Sequence, residues 1–332
     1  MPFPRRLHSA CRRAYAPKTV RRRVMRILVS GSRGVLGRAL TPALEASGSQ
    51  VIPFGPQVLP ESGAASRPFE DVRNLDAVTS VSRRLDGVIH LAAVSRAVPA
   101  ESNPALAESV NVGGTETVLR ALREGSPRAW FILASSREVY GEPEYLPLNE
   151  RHPVHPKGVY GRTKLASEAV VRAEGERLGR RAIILRFSNL YGDPADYPER
   201  VAPAFVSAAL EGRPLEVRGP ETLLDLLHLQ DGVRAVLDAV RVLAEGRSGL
   251  ETINIASGRG VTLGELAEKV VAACASRSVV RETFLPPWAT ARFVGDPARA
   301  ENLLGWRPRI DLDSGLRRFV RDWRQAKAPP AR

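Results

Sequence analysis

The chain has 332 residues, of which 43% are hydrophobic and 26% charged, with two cysteines and a formal net charge of +13. That length can bury a substantial core in one large domain or two interleaved ones, and the composition is that of a soluble globular protein. No apolar run approaches a membrane span, and Cys11 and Cys274 make no disulfide or metal framework, which fits a cytoplasmic protein.

The charge is unevenly spread. Residues 1–24 hold Arg5, Arg6, Arg12, Arg13, Lys18, Arg21, Arg22 and Arg23 and no acid. The segment lacks the apolar centre of a secretory signal and reads as a basic, disordered extension. The remainder is only mildly basic, so nucleic acid is not an expected partner.

Regular patterning begins at Arg26. Ile27-Leu28-Val29-Ser30 reads as a buried strand, followed by a glycine turn and a helix to Ala46. A second strand is expected over residues 50–54, running into Gly55-Pro56-Gln57. A helix follows over 75–84, then a strand over 87–93 that contains His90, read as a packed core histidine. Pro104 opens a helix to about Leu122. Trp130-Phe131-Ile132-Leu133-Ala134 forms the next strand and ends at Ser135-Ser136. A helix runs on from Tyr160, and residues 182–187 form a further strand. Strands alternating with helices, without hairpin signals, predict an α/β doubly wound parallel sheet, the Rossmann fold.

Composition changes at Ser188. Helices are expected over 202–210, 231–244, 261–275 and from Leu312, with an apolar stretch at 223–229 enclosing Asp225 and His228, and a returning strand at 252–255. The expected division is a dinucleotide-binding unit of residues 25–187 plus 225–256. A smaller, discontinuous α/β substrate unit would comprise 188–224 plus 257–326.

Two features carry chemistry. The first is Gly31-Ser32-Arg33-Gly34-Val35-Leu36-Gly37 between strand and helix. Gly31 suits the tight turn, Gly34 lets the backbone approach a diphosphate, and Gly37 lets helix and strand pack closely. The helix N-terminus then offers free N–H groups to the phosphates. No acid ends the second strand, and Arg33 lies in the turn, which favours NADP over NAD while leaving both open. The second feature is Tyr160-Gly161-Arg162-Thr163-Lys164. Tyr160 and Lys164 share a helix face, and a nearby ammonium favours a phenolate, as a tyrosine acid/base requires.

Several motifs recur in one order. They are Gly31-x-x-Gly34-x-x-Gly37, Asp71-Val72, His90-Leu91-Ala92-Ala93, Asn111-Val112-Gly113-Gly114-Thr115 and Ser135-Ser136-x-x-Val139-Tyr140-Gly141. Tyr160-x-x-x-Lys164, Arg186-x-x-Asn189-x-Tyr191-Gly192 and Leu304-Gly305-Trp306-x-Pro308 complete the set. Over most of residues 25–323 the chain resembles the extended short-chain dehydrogenase/reductase family, in its sugar-nucleotide epimerase/dehydratase branch.

The resemblance implies Ser136, Tyr160 and Lys164 as catalytic residues. Gly31, Arg33, Gly34, Val35, Leu36, Gly37, Asp71, Val72, Leu91, Ala92, Ala93, Asn111 and Lys164 would bind the dinucleotide. Ser95, Arg137, Glu138, Asn189 and Arg292 would line the substrate. It further implies a nucleotide-sugar substrate, a homodimer and no metal. Two departures stand out. Where 4,6-dehydratases carry an Asp-Glu pair, this chain has Arg137 and Glu138, which disfavours dehydration because arginine does not give up its proton. Leu224 stands where an arginine usually precedes Asp225, and the arginine expected near Pro286 is absent. Arg213, Arg218, Arg281 or Arg292 would have to replace them. An epimerase, an NADPH-dependent ketoreductase on a non-nucleotide substrate, and a non-catalytic dinucleotide sensor are all open, although a sensor has no need of the intact triad.

Overall fold

A computed structural model describes residues 24–55, 70–284 and 292–327. The basic segment 1–23, Pro56 and Gln57, and the Pro286-Pro287-Trp288 stretch lie outside the described residues.

The first half alternates strands and helices. In order these are β1 (Arg26–Ser30), α1 (Val35–Ala46), β2 (Gln50–Phe54), α2 (Leu75–Val81), β3 (Gly87–His90), α3 (Ala97–Ser102), α4 (Pro104–Glu108), α5 (Gly114–Gly125), β4 (Trp130–Ser136), α6 (Val159–Leu178) and β5 (Ala182–Phe187). A single π-turn, Ser109–Gly113, joins α4 to α5, so the helix expected from Pro104 is continuous but locally unwound. The second half comprises β6 (Asn189–Tyr191), α7 (Val201–Leu210), β7 (Leu215–Arg218), β8 (Leu223–His228), α8 (Leu229–Ala244), β9 (Leu250–Ile255), β10 (Gly260–Thr262), α9 (Leu263–Cys274), β11 (Val280–Thr283), α10 (Ala298–Leu304) and α11 (Leu312–Lys327).

Six strands form one parallel sheet in the order β2-β1-β3-β4-β5-β9. The doubly wound parallel sheet is therefore present as expected. Successive residues of each strand face opposite layers. Ile27, Val29, Ile89, Ile132, Ile183 and Leu185 meet α1, α8 and α10 on one side. Leu28, Val88, Phe131, Leu133 and Ile184 meet α2, α5 and α6 on the other. Burial on both faces explains why the strands read as continuous apolar runs. Chain order reverses between β1 and β3, and such a reversal opens a crevice at the strands' carboxyl ends.

A second core lies between α7, α9 and α11 and two small sheets, β10-β8-β6 and β11-β7. Strand β8 serves both cores: Leu224 and Leu226 face the second, and Leu227 faces the first. Leu304 and Trp306, which fall between α9 and α11 of the second core in sequence, pack in the first core. Asp231, fully buried, holds that return. It accepts hydrogen bonds from the backbone N–H groups of Arg309 and Ile310 at 2.9 Å each and from Arg234, while its carbonyl takes the Trp306 indole N–H at 3.0 Å. Asp225 is likewise structural, accepting backbone N–H groups of Ser257, Gly258 and Gly295 at 2.8, 3.0 and 3.2 Å.

Candidate active site

The glycine turn leaves β1 beside the end of β3. Gly31 has φ +70°, and a Cβ there would lie 2.6 Å from the Ala92 nitrogen, so only glycine allows the two strand ends to close up. At Gly37 a Cβ would sit 2.4 Å from the Gly31 oxygen, which fixes how tightly α1 docks on the turn. Gly34 is the N-cap of α1, with no side-chain cap and no acid in the first turn. The first N–H groups of a 12-residue helix are thus available to an anion between Gly31 and Gly37, with Val35 and Leu36 at its first turn. Leu91, Ala92 and Ala93 are partly buried across the crevice. This donor set and this cradle fit a dinucleotide diphosphate.

Other expected cofactor residues have defined partners. Val72 is buried against Gly114, whose absent Cβ would lie 2.7 Å from a Val72 methyl. Asp71 forms a bidentate pair with Arg73, and that hydrogen-bonded guanidinium holds the carboxyl below its ordinary range. Arg33 pairs with Glu70 at 3.2 Å. The arginine expected to favour NADP thus has a carboxylate beside it. The Asn111 side chain accepts the Val94 N–H at 2.7 Å and donates to Thr163 Oγ1 at 2.9 Å, tying the end of β3 to α6. Its carbonyl, in the π-turn, accepts from Thr115 and Ser167 hydroxyls. His90 is buried, with Nδ1 2.6 Å from Ser30 Oγ, and burial pulls it down to about 3.

Ser136, Tyr160 and Lys164 converge at the end of β4. Ser136 acts on the Tyr160 phenol, favouring its ionised form. Ser136 Oγ also accepts the Glu138 N–H at 3.2 Å, which holds its rotamer. Lys164, 3% exposed, donates to the Ala134 carbonyl at 2.8 Å. Helix α6 reaches this strand because Gly161 has no side chain: a Cβ there would meet the Glu138 oxygen at 2.5 Å.

Burial dominates the electrostatics. It pushes the Tyr160 phenol up to about 12, against the effect of the nearby Ser136 side chain and the charges of Arg200 and Arg137, while Glu138 adds to the rise. It pulls the Lys164 ammonium down to about 8, and Glu168 opposes that fall. The cations acting most directly on the phenol are therefore Arg200 and Arg137, and the expected effect of Lys164 on it is not among the main ones.

On the substrate side, Arg137 Nε donates to Asn189 Oδ1 at 3.2 Å, pairs with Glu138 at 2.8 Å and lies 5.6 Å from the centre of the Phe293 ring. Asn189 in turn donates to the Asp225 carbonyl at 3.2 Å. Ser95 and Arg292 are exposed, and Arg292 bridges the backbone of Leu223. Arg213 and Arg281 pair with Glu211 and Glu216, away from the triad.

Arg200 escaped the sequence reading. It pairs with the buried Asp196 at 3.3 Å, in a segment held from both sides. Arg38 of α1 binds Asp193 at 3.0 Å, and the Arg96 guanidinium stacks 3.8 Å over Tyr197 and pairs with Glu199. The only hint in the sequence is an acid-and-aromatic loop directly after Tyr191-Gly192. Among the described residues no cluster of metal-binding side chains occurs, and no helix is long and apolar enough to cross a membrane.

Comparison with known proteins places these features in one group. The profile of the NAD dependent epimerase/dehydratase family matches residues 27–256. A putative UDP-glucose 4-epimerase of Methanocaldococcus jannaschii is 27% identical, over 89% of this chain and 97% of its own. A dTDP-glucose 4,6-dehydratase of an Actinoplanes species is 31% identical, over 89% and 97% respectively. The crystal structure of the UDP-glucose 4-epimerase of Thermus thermophilus with NAD superposes with a TM-score of 0.79 at 26% identity, over 91% of this chain and 100% of that one. The glycine cradle and the serine–tyrosine–lysine site lie within the matched span, and the chain belongs to the NAD-dependent epimerase/dehydratase family.

Proposed function

We propose that the protein is a nicotinamide-dependent epimerase of a nucleoside-diphosphate sugar, acting at one carbinol carbon. The observation that carries this reading is the convergence of Ser136, at the end of β4, on the Tyr160 phenol, with Lys164 one turn along α6, in a chain whose first turn is the glycine cradle. Gly31, Gly34 and Gly37 would hold the diphosphate, Asp71 and Val72 the adenine end, and Lys164 the ribose next to the reacting ring. A bound nicotinamide supplies a hydride acceptor and donor.

The protein's own residues manage the proton. Ser136 and Tyr160 would hold the carbinol oxygen between two hydroxyls. Tyr160 takes its proton as the carbon is oxidised and returns it on reduction. Proton removal needs the phenolate, which Arg200 and Arg137 favour against burial. Loss of water would require a second acid at the leaving hydroxyl. Arg137 occupies the position where that acid is expected, and a guanidinium does not protonate a leaving group. This supports epimerisation over dehydration. The Arg33–Glu70 pair, which sets a carboxylate beside the arginine of the turn, supports NAD over NADP.

Proton NMR of UDP-glucose, UDP-glucuronic acid and dTDP-glucose incubated with the protein and NAD tests the reading. The expected result is a C4 epimer of one of them, without net cofactor reduction. A 4-keto-6-deoxy product would make the protein a dehydratase, and stoichiometric NADPH consumption would make it a reductase. Epimerisation by Tyr160→Phe at the wild-type rate would refute the role of the phenol.

A further inference from the structure

Glu168 stands one turn beyond Lys164, so Tyr160, Lys164 and Glu168 share one face of α6. Its carboxylate is 1% exposed yet fully engaged. Ser135 Oγ donates to it at 2.6 Å, and Arg186 donates through Nε at 2.8 Å and Nη2 at 2.6 Å. Arg172 approaches from outside at 3.6 Å. Ser135 is the neighbour of Ser136 on β4, and Arg186 lies on β5 beneath the Tyr140 ring, 4.7 Å from its centre. Tyr140 donates to Asn254 of β9 at 2.6 Å. One carboxylate thus fastens the catalytic helix to β4 and β5, and through Arg186 and Tyr140 to β9.

The charge balance singles out the same residue. Two cations are buried here, Lys164 at 3% exposure and Arg186 at 4%. The groups whose charge couples to Lys164 are Glu168 from α6 and His90 from β3. His90 is neutral at physiological pH and bonded to Ser30, so it neither repels nor pairs with the ammonium. The carboxylate therefore pairs directly with Arg186 and, from one turn along the same helix face, favours the charged form of Lys164 through space.

We propose that Glu168 is a positioning residue of the active site, the counter-ion that keeps buried Lys164 charged and the tie that holds Ser136 opposite Tyr160. The proposal rests on the catalytic reading of Ser136, Tyr160 and Lys164 above, but the charge state of Lys164 is measurable without any substrate.

The chain's lysines are Lys18, Lys157, Lys164, Lys269 and Lys327, few enough for each to be followed by NMR after selective 13C labelling at Cε. Lys164 is assigned by the signal lost in Lys164→Arg. In the full-length Glu168→Gln protein its titration midpoint is expected to fall by about one pH unit or more, a tenfold change in the protonated ratio. The alkaline limb of turnover should fall with it, a displacement that a purely structural defect does not produce. If Glu168→Gln fails to fold, Glu168→Gln/Arg186→Met removes one buried cation together with the carboxylate, and a smaller fall in the same direction is expected. A Lys164 midpoint unchanged in either folded variant overturns the proposal. Absence of turnover in the wild type would count against the reading of function, and the titration would still decide this one.

Discussion

Lys164→Met should stabilise the protein while abolishing its activity. In the folded chain burial takes the Lys164 ammonium from an ordinary 10.5 down to about 8. The unfolded chain therefore binds more protons between those values, and stability rises with pH across that window. Below about pH 8 the buried charge costs roughly 3 kcal/mol relative to a neutral group. Methionine removes that cost and keeps the volume. It forfeits the 2.8 Å bond to the Ala134 carbonyl, which contributes about 1.5–3 kcal/mol because its donor is charged. The balance is a gain of about 0–1.5 kcal/mol at pH 7 in cofactor-free protein. Urea denaturation at pH 7, 8.5 and 10 measures it, and the advantage should shrink steadily as the wild-type lysine loses its proton. A variant less stable than wild type at pH 7, or a difference constant from pH 7 to 10, would show that Lys164 carries no burial cost.

Other outcomes follow from the same geometry. Tyr160→Phe should lower turnover by about 10²–10⁴-fold and leave NAD affinity, read by fluorescence titration, within about twofold, since the phenol lies outside the diphosphate cradle. Gly37→Ala places a methyl 2.4 Å from the Gly31 oxygen, so it should cost about 1–3 kcal/mol in urea and weaken NAD binding together with it. Asp225→Ala leaves three N–H groups, one buried and two partly buried, without their acceptor and should cost about 3 kcal/mol, while Asp225→Asn, which keeps one oxygen, should lose less.

Much of this molecule is legible in its residues because both faces of its main sheet are buried. Runs such as Ile27-Leu28-Val29 and Ile183-Ile184-Leu185 serve two layers at once and admit no polar interruption, so strand position and parallel pairing follow directly. The glycine turn was equally readable, since Gly31 and Gly37 are positions where a Cβ would collide with backbone. The second unit was harder. Strands β6, β7, β10 and β11 are three or four residues long, too short for a period to register, and their pairing is set by distant partners. At the candidate site, spacing on one helix predicted that Tyr160 and Lys164 share a face of α6. It missed Arg200, which reaches the phenol only because Arg38, Arg96 and Asp196 fold a loop into place. It also misjudged the balance at the phenol, because spacing carries no information about burial.

The return of the chain to its first core bears on how the protein can be made. The sheet's last strand, β9, pairs with β5 only after more than sixty intervening residues have built a separate core, and Trp306 and Leu304 fill the first core later still. A ribosome that has released residues 1–187 has issued the glycine turn and Tyr160 without the strand and the indole that close the layer around them. The exposed edge of β5 must wait, and a waiting edge is open to pairing with another chain. Fragments cut at the apparent boundary near residue 188 inherit that open edge permanently. Tags and fusions therefore belong at the ends of the chain, and a cofactor-binding half expressed alone should aggregate.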